Sequence, residues 1–133
     1  MEGKDLEILE FPKILERLAR HAASVPGREL ALNLRPVGDE EEVRERLEET
    51  REARALLGAK ADSPLAEVRD IRPFLAKAEK GDPLLPPELQ EIRRTLLAGA
   101  GLKRAVAKFA DRAPRLAALA LRIAEHADLA AEI

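Results

Sequence analysis

The sequence predicts an all-α fold, an elongated multi-helix assembly of about six helices with one long lever-like helix. Apolar residues recur at three- and four-residue spacing along almost all of the 133 residues, and no segment alternates as a half-buried strand would. Only three residues are aromatic, so a core of Leu, Ile, Val and Ala buries little area per residue. We therefore expect a flat or elongated body.

The first two helices are predicted on either side of Ser24. Pro12 suits the first turn of the first helix, and Ser24 can cap a second helix that runs from about Val25 to Leu34. Pro36 disfavours helical backbone at the residue before it, so the chain turns there. The predicted buried face of the first helix comprises Phe11, Ile14, Leu15, Leu18 and Ala22.

A longer, acidic helix is predicted from Asp39 to about Leu57. The Asp39 carboxylate can accept from the first free amides while Glu42 reaches back, an arrangement that contributes about 0.5–2 kcal/mol. Val43, Leu47 and Leu57 are predicted to form its buried stripe. Ion pairs one turn apart are expected on its solvent side, namely Glu40 with Arg44 and Glu42 with Arg46.

Residues 58–69 form the least regular segment, which we expect to be a mobile loop with a turn at Ser63-Pro64. Asp70 can then cap a short helix, and Gly81 can end it. The predicted buried face of that helix comprises Ile71, Phe74, Leu75 and Ala78.

The longest helix is predicted within residues 84–112, from the Pro86-Pro87 pair to about Asp111. Gly99 and Gly101 indicate a bend or a close contact with another helix. Pro114 begins a final helix whose pattern continues to the end of the chain, so we expect a fragment of a longer protein. The apolar side of the long helix comprises Ile92, Leu96, Gly99, Leu102 and Val106, and the final helix carries Leu116, Leu119 and Ile123.

The opposite side of the long helix carries a basic stripe, provided that the helix is unbroken. We consider it a candidate nucleic-acid contact, made to phosphates because aromatic side chains for base stacking are missing from it. Residues 93–122 carry a net charge of +7, and Asp39–Leu57 carries −4. The stripe could equally be solvated or pack on the acidic helix, and Leu97 within it favours a protein partner. Its members are Arg93, Arg94, Arg104, Lys108 and Arg112.

Residue types argue against catalysis within this chain. The run at residues 98–101 has the glycines of a phosphate-binding loop but no Lys and no Ser or Thr. His21 and His126 are far apart and lack metal-ligand spacing. Arginines interspersed among the acids of residues 40–49 would compete with Mg²⁺. We therefore expect no catalytic, nucleotide-binding or metal site, and no cofactor bound to this chain.

The cellular setting is inferred from residue types that are missing. The chain has no cysteine, which fits a reducing compartment. No apolar run approaches the ~20 residues needed to span a bilayer, and no signal-peptide segment begins the chain. Arg, Ala, Leu and Pro are abundant, a bias typical of a GC-rich bacterium. We expect a bacterial cytoplasmic protein with no membrane contact.

Three segments together resemble the second branch of the MutS family of DNA-repair ATPases. The first is the Leu-Glu-Phe lead-in at residues 9–11, the second is Ser-x-x-Gly-Arg followed by the capped acidic helix, and the third is Asp-Ile-Arg-Pro at residues 70–73. The resemblance covers roughly residues 6–109 and identifies the N-terminal helical core and lever segment, here residues 1–133. The residues that carry it are Leu9, Phe11, Ser24, Gly27, Arg28, Pro36, Asp39, Asp70 and Pro73.

The resemblance implies a non-catalytic core and lever module, with the long helix leading toward a nucleic-acid clamp. It implies that the parent protein is a homodimer with an ABC-type ATPase domain, a C-terminal Smr nuclease domain, and ATP and Mg²⁺ as cofactors. It also implies branched DNA as a partner and suppression of homologous recombination as the role. Two alternatives remain. One is a basic-face module that binds nucleic acid or ribosomal RNA in the rescue of collided ribosomes, and the other is an unrelated helical adaptor for proteins.

Overall fold

A computed structural model describes residues 3–59 and 64–133 of the chain. Within those ranges the fold is all-α, as predicted, and contains no strand. Eight α-helices are present there instead of about six, because residues 3–8 form a helix of their own and the C-terminal segment is divided in two. They are α1 Gly3–Ile8, α2 Phe11–Ala19, α3 Val25–Leu32, α4 Glu40–Gly58, α5 Arg72–Glu79, α6 Pro86–Ala107, α7 Pro114–Ala120 and α8 Ala127–Glu132, with a 3₁₀ segment at Pro64–Glu67.

The starts of α3 and α4 follow the predicted caps. Ser24 Oγ accepts from the Gly27 amide at 3.2 Å, and Asp39 Oδ1 accepts from the Glu42 amide at 2.9 Å. The Glu42 carboxylate is turned the other way, toward Arg46, with a nitrogen–oxygen distance of 2.6 Å. The expected reach of Glu42 back to Asp39 is therefore wrong, while the predicted ion pairs are confirmed, the second being Glu40 with Arg44 at 2.6 Å.

The helix α5 lies between an aspartate and a glycine, as the sequence predicts. Ile71 occupies the N-cap position, so the predicted cap by Asp70 is wrong: Asp70 lies one residue earlier, where its Oδ1 accepts from the Arg72 amide at 3.3 Å. Gly81 has a φ of +79°, a left-handed conformation that a Cβ would disfavour. Its neighbour Asp82 donates to the Lys77 carbonyl at 3.2 Å, which satisfies a free carbonyl at the helix end.

The helix α6 is the longest helix of the described residues but is shorter than predicted. It begins at Pro86 and ends at Ala107, so the predicted helix over residues 84–112 is wrong at its C-terminal end. The chain instead forms a tight turn in which the Phe109 amide donates to the Val106 carbonyl at 2.9 Å. Pro114 then starts α7, and the residue before it leaves helical geometry, as expected ahead of a proline.

The C-terminal segment is two short helices and not one. The helix α7 ends at Ala120, and the Lys103 ammonium donates to the Ile123 carbonyl at 3.1 Å just beyond that end. A cation at this position satisfies a free carbonyl and is favoured by the helix dipole. The division of the segment is therefore stabilised by α6, from a residue twenty positions earlier in the chain.

The helix α6 is the centre of the packing. The 3₁₀ segment, α7 and α8 all pack on it, α4 packs on α7, and α1 and α3 pack on α2. A Cβ added at Gly99 would lie 3.4 Å from Ile123 Cγ2, and one at Gly101 would lie 3.4 Å from Pro64 Cγ, which confirms the predicted close contact. Five of the eight buried hydrophobic side chains in the described residues are alanine; the eight are Leu15, Ala19, Ile92, Ala98, Val106, Ala113, Ala120 and Ala130.

The molecule exposes far more surface than a compact protein of its size. Its accessible area is 10133 Å², whereas a compact monomer of 14.7 kDa would expose roughly 6,900 Å². The predicted stripe on α4 contributes to this surface, because Leu47 is 65% exposed and Leu57 is 67% exposed. That prediction is wrong, since α4 packs through the side of the helix that carries Glu52. The small core agrees with the open body expected from the composition.

Two further features concern the predicted loop and the membrane. Residues 60–63, which include Ser63 of the predicted mobile turn, lie outside the described residues. Among the helices that the structure describes, none combines the length and the apolar character required to cross a bilayer.

Candidate functional site

The structure places all five residues of the predicted basic stripe at the surface, but not on one continuous helix face. Arg93, Arg94 and Arg104 lie on α6, and Lys108 is the first residue after its end. Arg112 lies in the turn that follows, so its direction is set by that turn. The prediction assumed an unbroken helix, and it fails for Arg112 because α6 ends five residues earlier.

Two of the five cations have partners within the fold, Arg93 on a neighbouring helix and Arg94 on α6 itself. Arg93 Nε donates to the Ala130 carbonyl at 3.0 Å, next to the end of α8. Arg94 Nη1 lies 3.6 Å from Glu91 Oε1, and the other Glu91 oxygen lies 3.1 Å from Arg69 Nε. Arg93 therefore helps to hold α8 against α6, while Arg94 shares Glu91 with Arg69, and both arginines are less available to an outside partner.

Arg104 and Lys108 are spaced one helical turn apart and remain at the surface near Leu97, which is 48% exposed. We call Leu97, Arg104 and Lys108 the distal basic face. In the described part of the chain, neither cation forms an ion pair. This pair of charges is the part of the predicted stripe that best fits a phosphate contact.

The acidic helix does not cover the basic stripe. Its main contact with another helix is made to α7, where Glu45 Oε1 lies 3.7 Å from Arg115 Nη1. Three of its other acids pair along α4 itself, namely Glu40 with Arg44, Glu42 with Arg46, and Glu48 with Arg51 at 2.8 Å. Among the described residues, no acid of α4 pairs with a member of the stripe. Packing of the two charged surfaces against each other is therefore not how this fold neutralises them.

Glu52 is the buried acid of α4, with 5% of its surface exposed. Its Oε2 accepts from the Leu116 amide at 2.9 Å, and its Oε1 accepts from the Arg115 amide at 3.3 Å. These amides belong to the first turn of α7, where Ala113 offers no side-chain cap of its own. The sequence shows no local signal for this contact, because the donors lie more than sixty residues away in the chain.

Arg72 joins the third predicted motif to α3. Its Nη1 and Nη2 each lie 2.8 Å from a Glu29 oxygen, and its Nε lies 2.7 Å from Asp70 Oδ1. Hydrogen bonds from this guanidinium lower the pKa of both carboxyls below their ordinary values, and the two carboxylates raise the pKa of Arg72. The Asp70–Arg72 spacing was visible in the motif, whereas Glu29 could not be identified from the sequence.

Glu88 forms a second network at the start of α6. Its Oε2 accepts from the Leu85 amide at 2.6 Å and lies 2.8 Å from the Lys77 ammonium. The Leu85 amide, followed by Lys77, lowers the pKa of the Glu88 carboxyl below its ordinary value. Because Lys77 lies on α5, this network holds α5 against the start of the long helix.

The other motif residues occupy structural positions. Phe11 is half-buried at the start of α2, Leu9 and Arg28 are exposed, Pro36 lies in the α3–α4 connection, and Pro73 lies in the first turn of α5. A Cβ at Gly27 would lie only 3.1 Å from the capping Ser24 oxygen. His21 and His126 are exposed, and the described ranges contain no group of three or more His, Cys, Asp or Glu placed to hold a metal ion.

Comparison with known proteins identifies relatives that are named endonuclease MutS2. The chain is 41% identical over all 133 residues to endonuclease MutS2 of Geobacillus thermodenitrificans, and the match covers 16% of that relative. It is 44% identical over 111 residues to endonuclease MutS2 of Geobacillus kaustophilus, covering 84% of this chain and 14% of the relative. It is 34% identical over 125 residues to endonuclease MutS2 of Bacillus cereus strain Q1, and this match covers 94% of the chain and 16% of the relative. No family model and no solved structure matches the chain.

These matches agree with the resemblance carried by the three sequence motifs. They extend over most or all of the chain, yet the chain spans only about a sixth of the length of the curated relatives it matches. Among the motif residues, Ser24 and Asp39 cap helices and Asp70 pairs with Arg72, as parts of an all-α scaffold. The chain therefore belongs to the MutS2 branch of the MutS family, in which it corresponds to one segment of much longer proteins.

Proposed function

We propose that this chain is the non-catalytic helical core and lever module of a bacterial MutS-type protein that processes DNA. The observation that carries the proposal is the match to proteins named endonuclease MutS2, of which the chain spans 16% or less. A segment of this size that consists of helices held by caps and ion pairs is suited to transmit movement. In this proposal the chemistry belongs to other parts of the longer protein.

The geometry of α6 supports the lever role. Its 22 residues give a length of about 33 Å. Side chains fix it to its neighbours at several points: Arg93 binds the end of α8, Thr95 accepts from the Arg69 amide at 3.0 Å, and Lys103 binds the segment after α7. A helix held in this way moves with its neighbours as one body, so a displacement at one end reaches the other.

For the longer protein we propose the properties that the family resemblance implies. It would hydrolyse ATP with Mg²⁺, act as an endonuclease on branched DNA, form a homodimer and limit homologous recombination. In this proposal the present chain binds neither ATP nor Mg²⁺. It positions the ATPase and the nucleic-acid clamp relative to each other, and it contributes to the dimer.

A kink in the lever tests this proposal. In the longer protein, Ala100→Pro would remove a helical hydrogen bond at the middle of α6 and bend the helix. We expect basal ATP hydrolysis to persist while its response to branched DNA is lost, and Ala100→Ser at the same position should keep that response. Circular dichroism would verify that both variants are folded. An unchanged DNA response in a folded, kinked variant would reject the lever, and phosphate release from ATP by the 133-residue chain alone would reject a non-catalytic module.

A second candidate function is supported by the distal basic face. Arg104 and Lys108 are exposed without an ion-pair partner among the described residues, and they could neutralise phosphates of branched DNA or of ribosomal RNA on a collided ribosome. Exposed Leu97 beside them would suit a protein surface instead, as an adaptor would require. The dependence of binding on salt separates a phosphate contact from an apolar one.

A further inference from the structure

An apolar groove of about 600 Å³ lies between α4, the 3₁₀ segment, α6 and α7. Alanines and leucines from these elements form most of its lining, and Arg122 is the charged residue among the described residues that line it. Its size and apolar character match those of pockets that receive ligands or partner side chains. None of the predicted basic residues belongs to it, so the groove is a separate surface.

The walls of the groove are open to solvent. Leu57 is 67% exposed on the α4 side and Leu119 is 52% exposed on the α7 side. Folded proteins rarely leave a contiguous apolar surface of this kind uncovered unless a partner uses it. The accessible area of the whole molecule is far above that of a compact monomer, which also indicates a surface that a partner covers.

The groove is preformed, because α7 is fixed by a contact outside it. Leu116 contributes its side chain to the lining, while its amide donates to buried Glu52 on α4. On the other side, Ile123, three residues beyond α7, lies 3.4 Å from where a Cβ of Gly99 would be, so the end of α7 is held closely against α6 at the end of the groove. An occupant therefore meets a surface whose shape already exists.

The shape and charge of the groove indicate the kind of occupant. A two-fold dimer through this surface would place groove against groove, and two concave surfaces cannot fill each other. An amphipathic helix, with apolar side chains at positions i, i+3 or i+4, and i+7, fits such a groove. The guanidinium of Arg122 favours an occupant that carries a carboxylate beside its apolar side chains.

The lengths of the relatives indicate where that helix comes from. The matched relatives are at least about six times longer than this chain, since the match covers 16% or less of each. A helix from the same polypeptide would reach the groove at a high effective concentration without a separate binding partner. We propose that the groove holds an amphipathic helix from the remainder of the longer protein, with an acidic residue facing Arg122. This inference rests on the proposed function as a module of such a protein.

Thiol labelling can test the proposal, because the chain contains no cysteine. Leu119→Cys places a thiol in the groove, and Glu41→Cys places a control thiol on the exposed first turn of α4. In the 133-residue chain both should react quickly with a maleimide. In the longer protein, freed of any other cysteines, we expect the groove thiol to react at least about tenfold more slowly than the control. Adding Arg122→Glu should restore much of its rate.

Each other result overturns the proposal in a distinct way. Equal rates in the longer protein mean that no helix covers the groove. Slow labelling in the short chain at every concentration means that the chain's own residues fill it, and slowing that grows with concentration means that a second copy does. Leu57→Cys repeats the test from α4 if Leu119→Cys disturbs α7. Protection of the groove together with an unchanged DNA response in Ala100→Pro would reject the lever and leave the docking proposal intact.

Discussion

The carboxylate of Glu52 on α4 caps the first turn of α7, with its Oε2 2.9 Å from the amide nitrogen of Leu116. The contact joins two helices that are distant in sequence, and it explains how an acid can be 95% buried within an otherwise exposed, acidic helix. A negative charge at a helix N-terminus satisfies free amides and is favoured by the helix dipole. The position of α7, and with it one wall of the apolar groove, depends on this carboxylate.

Replacement of Glu52 should destabilise the fold. Glu52→Ala leaves two amides at the start of α7 without their acceptor, so we expect a loss of about 2 kcal/mol in the free energy of unfolding, measured by urea denaturation. Glu49→Ala removes an exposed acid from the same helix and should change it by less than about 0.5 kcal/mol. Equal stabilities of the two variants would mean that the cap contributes nothing.

The cap of α3 should be replaceable only by another capping residue. Ser24→Ala removes the acceptor of the Gly27 amide and should lower the free energy of unfolding by about 1 kcal/mol. Ser24→Asp, which retains an oxygen at this position, should preserve most of the stability. Urea unfolding followed by circular dichroism would measure both variants. If Asp destabilises as much as Ala does, the hydrogen bond to Gly27 is not the reason for the serine.

The position of Gly99 in α6 should accept a small side chain but not a large one. At Gly99 an added Cβ would lie 3.4 Å from Ile123, so Gly99→Ala should fit and should stabilise α6 by up to about 1 kcal/mol. Gly99→Leu would push against Ile123 and should destabilise the protein by about 1–3 kcal/mol. Thermal and urea unfolding would compare the pair, and a stabilising leucine would show that α6 and Ile123 are not in close contact.

The Arg72 network should make the protein sensitive to acid. The pKa values of Glu29 and Asp70 are lowered in the fold from ordinary values of 4.5 and 3.8. Each carboxylate therefore stabilises the fold fully above its ordinary pKa, and that contribution is lost as the pH falls through the lower pKa of the folded state. Urea unfolding over a pH series should show a decline in stability below about pH 4.5 that is smaller in Glu29→Gln.

A matched control isolates that network. Glu41→Gln removes an exposed carboxyl that has no ion pair among the described residues. The stability of this variant should therefore fall with acid much as the stability of the wild-type protein does. Arg72→Lys should resemble Glu29→Gln, because an ammonium cannot bind both Glu29 oxygens as the guanidinium does. Identical pH profiles for wild type and Glu29→Gln would exclude a role for this network.

The distal basic face should determine any binding to nucleic acid. Each phosphate contact contributes about −0.9 to the log–log salt slope for duplex DNA, so Arg104→Ala with Lys108→Ala should reduce that slope by up to about 2. Arg17→Ala with Arg20→Ala removes two exposed charges, one in the last turn of α2 and one directly after it, and is the control of equal net charge. Fluorescence anisotropy with junction DNA and structured RNA over a salt series would measure both. Equal losses in the two double variants would indicate only a general effect of charge.

Much of the local structure could be predicted because its causes are local. Ser24 and Asp39 each accept from an amide three residues later, and Gly81 ends α5 with the positive φ that favours glycine. The end of α6 was misjudged because apolar spacing continues beyond Ala107, while the tight turn before Pro114 interrupts the helix. The prediction of a buried stripe on α4 was wrong because the apolar residues of that stripe face outward, while the carboxylate of Glu52 faces inward.

The sequence alone determined the all-α class, most helix starts and the family, since caps, prolines and apolar spacing act over three to seven residues. Only the tertiary structure decided which charged side chains hold one helix against another. Arg93 and Lys103 bind carbonyls at other helix ends, Arg72 binds Glu29, and Glu52 binds the start of α7. The partners lie between 20 and 64 residues apart in the chain, and no periodicity relates them. Their pairing depends on which helices pack together, and so does the open groove between α4, α6 and α7.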